Sequence, residues 1–204
     1  MLRLSLHENP VDKVITRALQ ILKKGGIVAY PTESFYALGV MINDETALKR
    51  LYTLKKRPLE KAMPLIIGNK DALVSIVKSI PLQAEKLIKN FWPGPLTIIF
   101  EAKDSVPQLL TGKKKTVAAR IPGDSFALYL AKAADFPITA TSANLSGKAP
   151  AQKPQEVIDY FGEGIDLIIA GGKTPGGKPS TIIDVTVTPP KILREGAILL
   201  DGKY

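Results

Sequence analysis

Apolar positions along this chain recur in two periods, and the alternation between them predicts its elements. Val11, Val14, Ile15, Ala18, Leu19 and Leu22 fall at helical spacing, with Pro10 suited to a first turn and Gly25-Gly26 closing the helix. The run 27–30 then reads as a buried strand that stops at Pro31. A second helix is predicted over 44–55, with Ala47, Leu48, Leu51 and Leu54 inward and Lys49 and Arg50 outward. Further helices are expected over 70–79, 82–90, 126–134 and 154–161. Strands are expected over 64–67, 96–100, 116–121, 138–141, 167–170, 181–187 and 192–194.

Helices and strands mix along the whole length, with no repeat and no composition break to mark a linker. The pattern predicts a single α/β domain over residues 1–204, with one twisted mixed β-sheet flanked by helices.

Composition narrows the chemistry. The chain has no Cys, which excludes a disulfide scaffold, a thiolate zinc site, an iron–sulfur cluster and a cysteine nucleophile. Its one His is His7, so a histidine metal cage or a Ser-His-Asp triad is not expected. No run approaches the ~18 apolar residues of a membrane span. The first ten residues carry Arg3, His7 and Glu8 and no secretory h-region, so a cytoplasmic protein is expected. With 28 Lys and Arg against 19 Asp and Glu, the net charge is +9. That excess fits nucleic acid, an anionic small substrate or, as the commoner case, a merely basic surface, and the distribution of the charges has to decide.

The motifs divide these options. No strand is followed by G-x-G-x-x-G. Residues 172–178 match G-x-x-x-x-G-K, but Pro179 stands where a P-loop needs Ser or Thr and no helix pattern follows, so a flexible glycine-rich loop is the better reading. Ser180 closes that loop at the start of an apolar strand. In Lys55-Lys56-Arg57-Pro58-Leu59-Glu60-Lys61 the proline ends a helix, and the cations suit either a polyphosphate or a solvated helix end. The run Thr139-Ala140-Thr141-Ser142-Ala143-Asn144 brings small and hydroxyl residues to a strand end, where ligands bind in open α/β sheets, although a plain turn has the same composition. Arg120 and Arg194 each sit in an apolar strand, as ion-pair partners or as anchors for a carboxylate or phosphate.

Taken in order, these segments resemble the YrdC/Sua5 family of threonylcarbamoyl-AMP synthases. The resemblance runs through Pro31-Thr32-Glu33-Ser34-Phe35-Tyr36-Ala37-Leu38-Gly39, the Lys55-x-Arg57 segment with Lys61, Trp92-Pro93-Gly94-Pro95-Leu96-Thr97, Val117 to Pro122, Ser142-x-Asn144, Pro179 to Asp184 and Leu193 to Gly196. It implies a YrdC-like fold with a concave basic cleft. It also implies an enzyme, a nucleotidyltransferase, that joins L-threonine, bicarbonate or CO2 and ATP, with Mg2+, into threonylcarbamoyl-AMP and pyrophosphate. The product would supply the t6A modification of tRNA through a downstream tRNA threonylcarbamoyltransferase complex.

By the same resemblance Lys55, Arg57, Ser142 and Asn144 would be catalytic. Arg57, Lys61, Thr116, Ser142, Asn144 and Arg194 would bind ATP. Thr32, Ser34, Tyr36, Arg120, Ala140 and Ser180 would form the threonine pocket, and no side chain is implied as a dedicated metal ligand. The sequence departs from the family pattern at Ser34 and Ala37, and it lacks a His in residues 64–68. It ends at Tyr204, so the C-terminal domain of longer members is not expected. A competing expectation is a non-catalytic module of the same fold that binds double-stranded RNA or tRNA, with Lys113-Lys114-Lys115 as part of its footprint.

Overall fold

A computed structural model describes residues 1–200. Two mixed sheets replace the single sheet expected from the sequence. One has the order β1-β9-β2-β3-β8 and the other β11-β10-β5-β6-β4-β7. The first holds β1 (Leu2–Ser5), β2 (Val28–Pro31), β3 (Tyr36–Gly39), β8 (Thr141–Ser142) and β9 (Leu167–Ala170). The second holds β4 (Leu65–Ile66), β5 (Leu96–Glu101), β6 (Thr116–Arg120), β7 (Ile138–Thr139), β10 (Thr181–Asp184) and β11 (Lys191–Arg194).

The sheets meet where the predicted strand over 138–141 divides in two. Ile138 and Thr139 pair with Ile66 and Leu65 of the second sheet, whereas Thr141 and Ser142 pair with Leu38 and Ala37 of the first. Ala140 is the crossing point, held by its N–H on the Pro64 carbonyl at 2.8 Å. Thr139 ties the junction to the first sheet twice, donating its N–H to Val40 O and accepting the Val40 N–H on its hydroxyl, both at 3.0 Å. The sheets come so close here that a Cβ on Gly39 would lie 2.7 Å from Ile138 Cγ2 and 2.9 Å from Thr139 O.

Helices cover this frame with the faces their periodicity predicts. On α1 (Val11–Lys23), Val14, Ala18 and Leu22 are buried four residues apart, and they pack with Phe126, Ala127 and Leu130 of α6 (Phe126–Ala133). That cluster takes in Val28 and Tyr30 from the first sheet and Ile66 and Ile138 from the second, so it seals both sheets at their junction. The other face is covered by α2 (Glu45–Leu54), α3 (Lys70–Ile76), α4 (Leu82–Phe91) and α7 (Pro154–Phe161). Asp44 caps α2 by accepting the Ala47 N–H at 2.8 Å. Helix α3 stops three residues short of the expected 79, because Val77 turns extended to bridge Ala102.

Four elements are absent from the expectations: β1, β3, the four-residue α5 (Gln108–Thr111) and a 3-10 turn at Gly162–Gly164. No helix among the described residues is long and apolar enough to cross a membrane. Gly39→Ala should destabilise the fold by about 1–3 kcal/mol, because the junction backbone would have to shift. Urea unfolding checks this, and an unchanged midpoint would contradict the tight junction.

Candidate functional site

The chain crosses between the sheets three times, through residues 40–64 linking β3 to β4, at Ala140 and through residues 171–180 linking β9 to β10, and residues of all three crossings line a cleft of about 500 Å³. Nine expected residues line it: Thr32, Ser34, Tyr36, Arg57, Arg120, Ala140, Ser142, Ser180 and Arg194. They come from both sheets, so the cleft exists only because the sheets are joined.

The turn between β2 and β3 is organised by Thr32. Its hydroxyl accepts the Ser34 N–H at 3.1 Å and the Phe35 N–H at 3.2 Å and donates to the Phe35 carbonyl at 2.7 Å. The Thr32 side chain therefore shapes the turn and reaches the cleft with its remaining surface. Tyr36 departs from expectation more sharply. Its ring is fully buried, and its hydroxyl donates to Gly172 O at 2.8 Å and accepts the Gly171 N–H at 3.1 Å. Together with the Gly176 N–H on Ser34 O at 2.7 Å, this fastens the glycine-rich loop over the turn. Gly172, Gly176 and Gly177 take φ of 78°, 74° and 83°, backbone that favours glycine and accounts for the composition of this loop. Tyr36 thus positions the wall of the cleft.

Lys55 also departs from its expected place. It caps α2 and is only 2% exposed, with its ammonium donating to the carbonyls of Ser142 and of Asn144, the latter at 2.7 Å. Its own carbonyl accepts the Ser146 N–H at 3.0 Å, so Lys55 brackets the loop after β8 from two sides. Burial, reinforced by the nearby Arg57, pushes its pKa down to about 7. Lys56 then takes φ 50°, a left-handed conformation that costs a non-glycine residue about 1–2 kcal/mol. This reversal sends Arg57 to the cleft while Lys55 stays inside. Arg57 is fixed by Nε on Lys61 O at 2.9 Å and Nη2 on Ala62 O at 2.8 Å. The Lys61 side chain is exposed and outside the cleft, and its carbonyl is what serves Arg57.

The hydroxyls are similarly tied. Ser142 Oγ donates to Asn144 Oδ1 at 2.6 Å, and the Asn144 amide donates to Lys148 O at 2.6 Å, so Asn144 orients Ser142 from behind. Ser180 Oγ stands 2.8 Å from Thr97 Oγ1 and accepts from Arg194 Nη2 at 3.0 Å. Arg194 is anchored further through Nε and Nη2 on the Ser180 carbonyl, at 3.0 and 2.8 Å. Arg120 forms an ion pair with Glu33.

Thr116 is not brought to this cleft. It begins β6, whereas Arg120 ends it, so the two stand about 13 Å apart along the strand. Thr116 lines a second hollow of about 650 Å³ with Leu59, Ala62 and Leu109, and Ala62 connects it to Arg57. Lys113 and Lys114 line the same hollow. Two residues of the central site were not singled out from the sequence, Thr97 and Glu33. Each stood inside a quoted motif, and a polar side chain in the apolar strand 96–100 was the available signal for Thr97.

Three guanidinium groups, anchored by carbonyls or a carboxylate and surrounded by fixed hydroxyls, line the cleft of this α/β protein, and their chemistry suits carboxylate and phosphate groups. Among the described residues no group of three or more His, Asp or Glu could hold a metal ion.

The chain belongs to the Sua5/YciO/YrdC family: the family model, described as "Telomere recombination", matches residues 20–196. It is 39% identical over 199 residues to a threonylcarbamoyl-AMP synthase of Pyrococcus abyssi, covering 97% of this chain and 58% of that protein. It is 36% identical over 191 residues to the Escherichia coli protein YciO, covering 93% of this chain and 92% of that one. The structure of P. abyssi Sua5 complexed with L-threonine superposes with a TM-score of 0.89 at 39% identity, over 96% of this chain and 57% of that one. E. coli YciO superposes with a TM-score of 0.85 at 33% identity, over 98% and 96% of the two chains. The chain therefore spans a little over half of the Pyrococcus protein and nearly all of YciO.

The buried ammonium makes stability depend on pH in a defined direction. Below pH 7 Lys55 is charged in the folded and unfolded chains alike, and its burial penalty is fully present. Between about 7 and 10.5 the folded chain has released the proton and the unfolded chain has not, so stability rises with pH. Lys55→Met should remove that rise; urea midpoints measured for both proteins from pH 6 to pH 10 check it, and identical slopes would contradict it.

Proposed function

We propose that this chain is a threonylcarbamoyl-AMP synthase, forming threonylcarbamoyl-AMP and pyrophosphate from L-threonine, bicarbonate or CO2 and ATP. The observation that carries the proposal is the convergence of Arg57, Arg120 and Arg194 with Ser142 and Ser180 on one cleft. The Pyrococcus relative complexed with L-threonine supports the amino-acid half of the reading.

In this reading Arg120 takes the threonine carboxylate, in the part of the cleft shaped by Thr32, Ser34, Ala140 and Ser180. Arg57 and Arg194 take the phosphates, and Ser142, oriented by Asn144, contacts them. Adenosine runs past Ala62 toward the hollow at Thr116. The neutral oxygens of Ser142 and Asn144 would hold Mg2+ arriving with ATP, where the hard cation would offset the charge of the phosphates.

The neutral amine adds to CO2 with loss of a proton, or to bicarbonate with loss of water, to give an N-carboxylate; its oxygen then bonds to the α-phosphorus as the bond from that phosphorus to the bridging oxygen breaks and pyrophosphate leaves. That step needs alignment and neutralisation of the charge that develops, which fixed guanidinium groups supply. A buried catalytic acid–base pair is not required, in keeping with a chain that has one His and no Cys. The adenylate would pass to a tRNA threonylcarbamoyltransferase in the cytoplasm for t6A synthesis. Binding of double-stranded RNA or tRNA at Lys113–Lys115 would compete with this chemistry, because Lys113 and Lys114 line the hollow that receives the adenosine.

The test is pyrophosphate release from ATP, bicarbonate and L-threonine. Release that requires threonine is expected, and turnover independent of threonine or absent altogether would contradict the assignment. Arg57→Ala and Arg194→Ala should each lower kcat/KM by roughly ten- to a hundredfold, the scale of a lost hydrogen bond to a charged group. Wild-type rates in either variant would contradict the placement of the phosphates.

A further inference from the structure

Glu33 lies between Thr32 and Ser34, both of which line the cleft, and behind Arg120. Its Oε1 accepts from Arg120 Nη1. Its Oε2 is shielded from water and has no hydrogen-bond partner among the described residues. A structural Arg–carboxylate pair is commonly forked, two N–H groups on two oxygens. Here one N–H engages one oxygen, so each partner keeps unused capacity.

Two nearby hydroxyls are committed elsewhere. The Thr32 hydroxyl donates to Phe35 O, and the Tyr30 hydroxyl donates to Thr139 O at 2.9 Å. Gly123, whose missing Cβ would stand 3.4 Å from Glu33 Cγ, offers no side chain. The Glu33 side chain keeps 17% exposure, and its terminal carboxylate torsion is broad, so rotation about it is the motion that would bring Oε2 to a ligand beside Arg120.

The unmet acceptor stands beside a guanidinium that reaches the same cleft. An anion acceptor and a carboxylate acceptor side by side match one chemical class, a molecule with a carboxylate and an N–H donor on the same carbon. We propose that Glu33 is a binding residue for the α-amino group of the amino-acid substrate, so that Glu33 and Arg120 together read its head group. This rests on the amino-acid reading of the cleft made above. Glu33 holds the amino group beside the place where its carboxylation must occur, and Arg120 holds the other end.

The test is calorimetric titration of the full chain with L-threonine and with 3-hydroxybutanoate, which is threonine with hydrogen in place of the amino group. The wild-type protein should prefer threonine by about tenfold or more, the scale of one charge-assisted hydrogen bond. In Glu33→Gln the affinity for threonine should fall by about that factor, with 3-hydroxybutanoate changed less than about twofold, so that the preference collapses. If Glu33→Gln does not fold, Glu33→Asp, which withdraws the oxygen by one methylene, serves the same comparison and should also narrow the preference. Equal weakening of both ligands would show that Glu33 acts only by holding Arg120, and an unchanged preference would show that Oε2 has no ligand; either result overturns the proposal. Absence of any threonine binding by the wild-type protein would overturn the amino-acid reading itself, and this proposal with it.

Discussion

A buried lysine ammonium on two backbone carbonyls is the interaction on which the site depends. Lys55 reaches from the end of α2 to Ser142 O and Asn144 O, and through its own carbonyl to the Ser146 N–H. It fixes the loop after β8 to a helix that packs on the opposite face of the frame. Ser142 and Asn144 take their mutual geometry from that attachment, and the left-handed turn at Lys56 turns Arg57 the other way, into the cleft. A charge held this far from water costs free energy, and burial accordingly drives its pKa down. Strain and desolvation gathered at one short segment, without a carboxylate to relieve them, are characteristic of a site fixed before its ligand arrives.

The junction of the sheets imposes a matching constraint. Ala140 sits where one strand leaves the second sheet and the next joins the first, and Gly39 permits the close approach beside it. Arg120 and Arg194 come from the second sheet, Ser142 from the first, and Arg57 from the loop after α2. A ligand that spans them would bridge both sheets beside the small-residue crossing at Ala140. The basic residues thereby divide into three arginines that line the cleft, with Arg120 buried, Arg57 half-buried and Arg194 exposed, and a larger set of surface lysines.

Much of this was legible in the sequence, and the limits are physical. Elements with a clean apolar pattern, such as α1, α7 and β9, fall where that pattern puts them. The split at Ala140 was not legible, because a short apolar run looks the same whether its residues pair with one sheet or with two, and the partners Leu65 and Leu38 are distant in sequence. The strand β3 was hidden inside a motif read for its chemistry. At the site, residue type was readable and side-chain direction was not. Arg57, Arg120 and Arg194 reach the cleft as expected, whereas Lys55 and Tyr36 turn inward to carbonyls that only the tertiary fold supplies. Glu33 escaped notice because a carboxylate in a cationic site reads as mere charge balance until its unpaired oxygen is seen.

The central claim is that one cleft holds an amino-acid carboxylate and the phosphates of ATP at the same time. Titration of Mg-ATP into the protein, with and without L-threonine and bicarbonate, tests it most directly. The account predicts a clear increase in affinity for ATP when both are present, because each ligand completes a wall of the other's site. An ATP affinity that does not change on adding threonine and bicarbonate would contradict it.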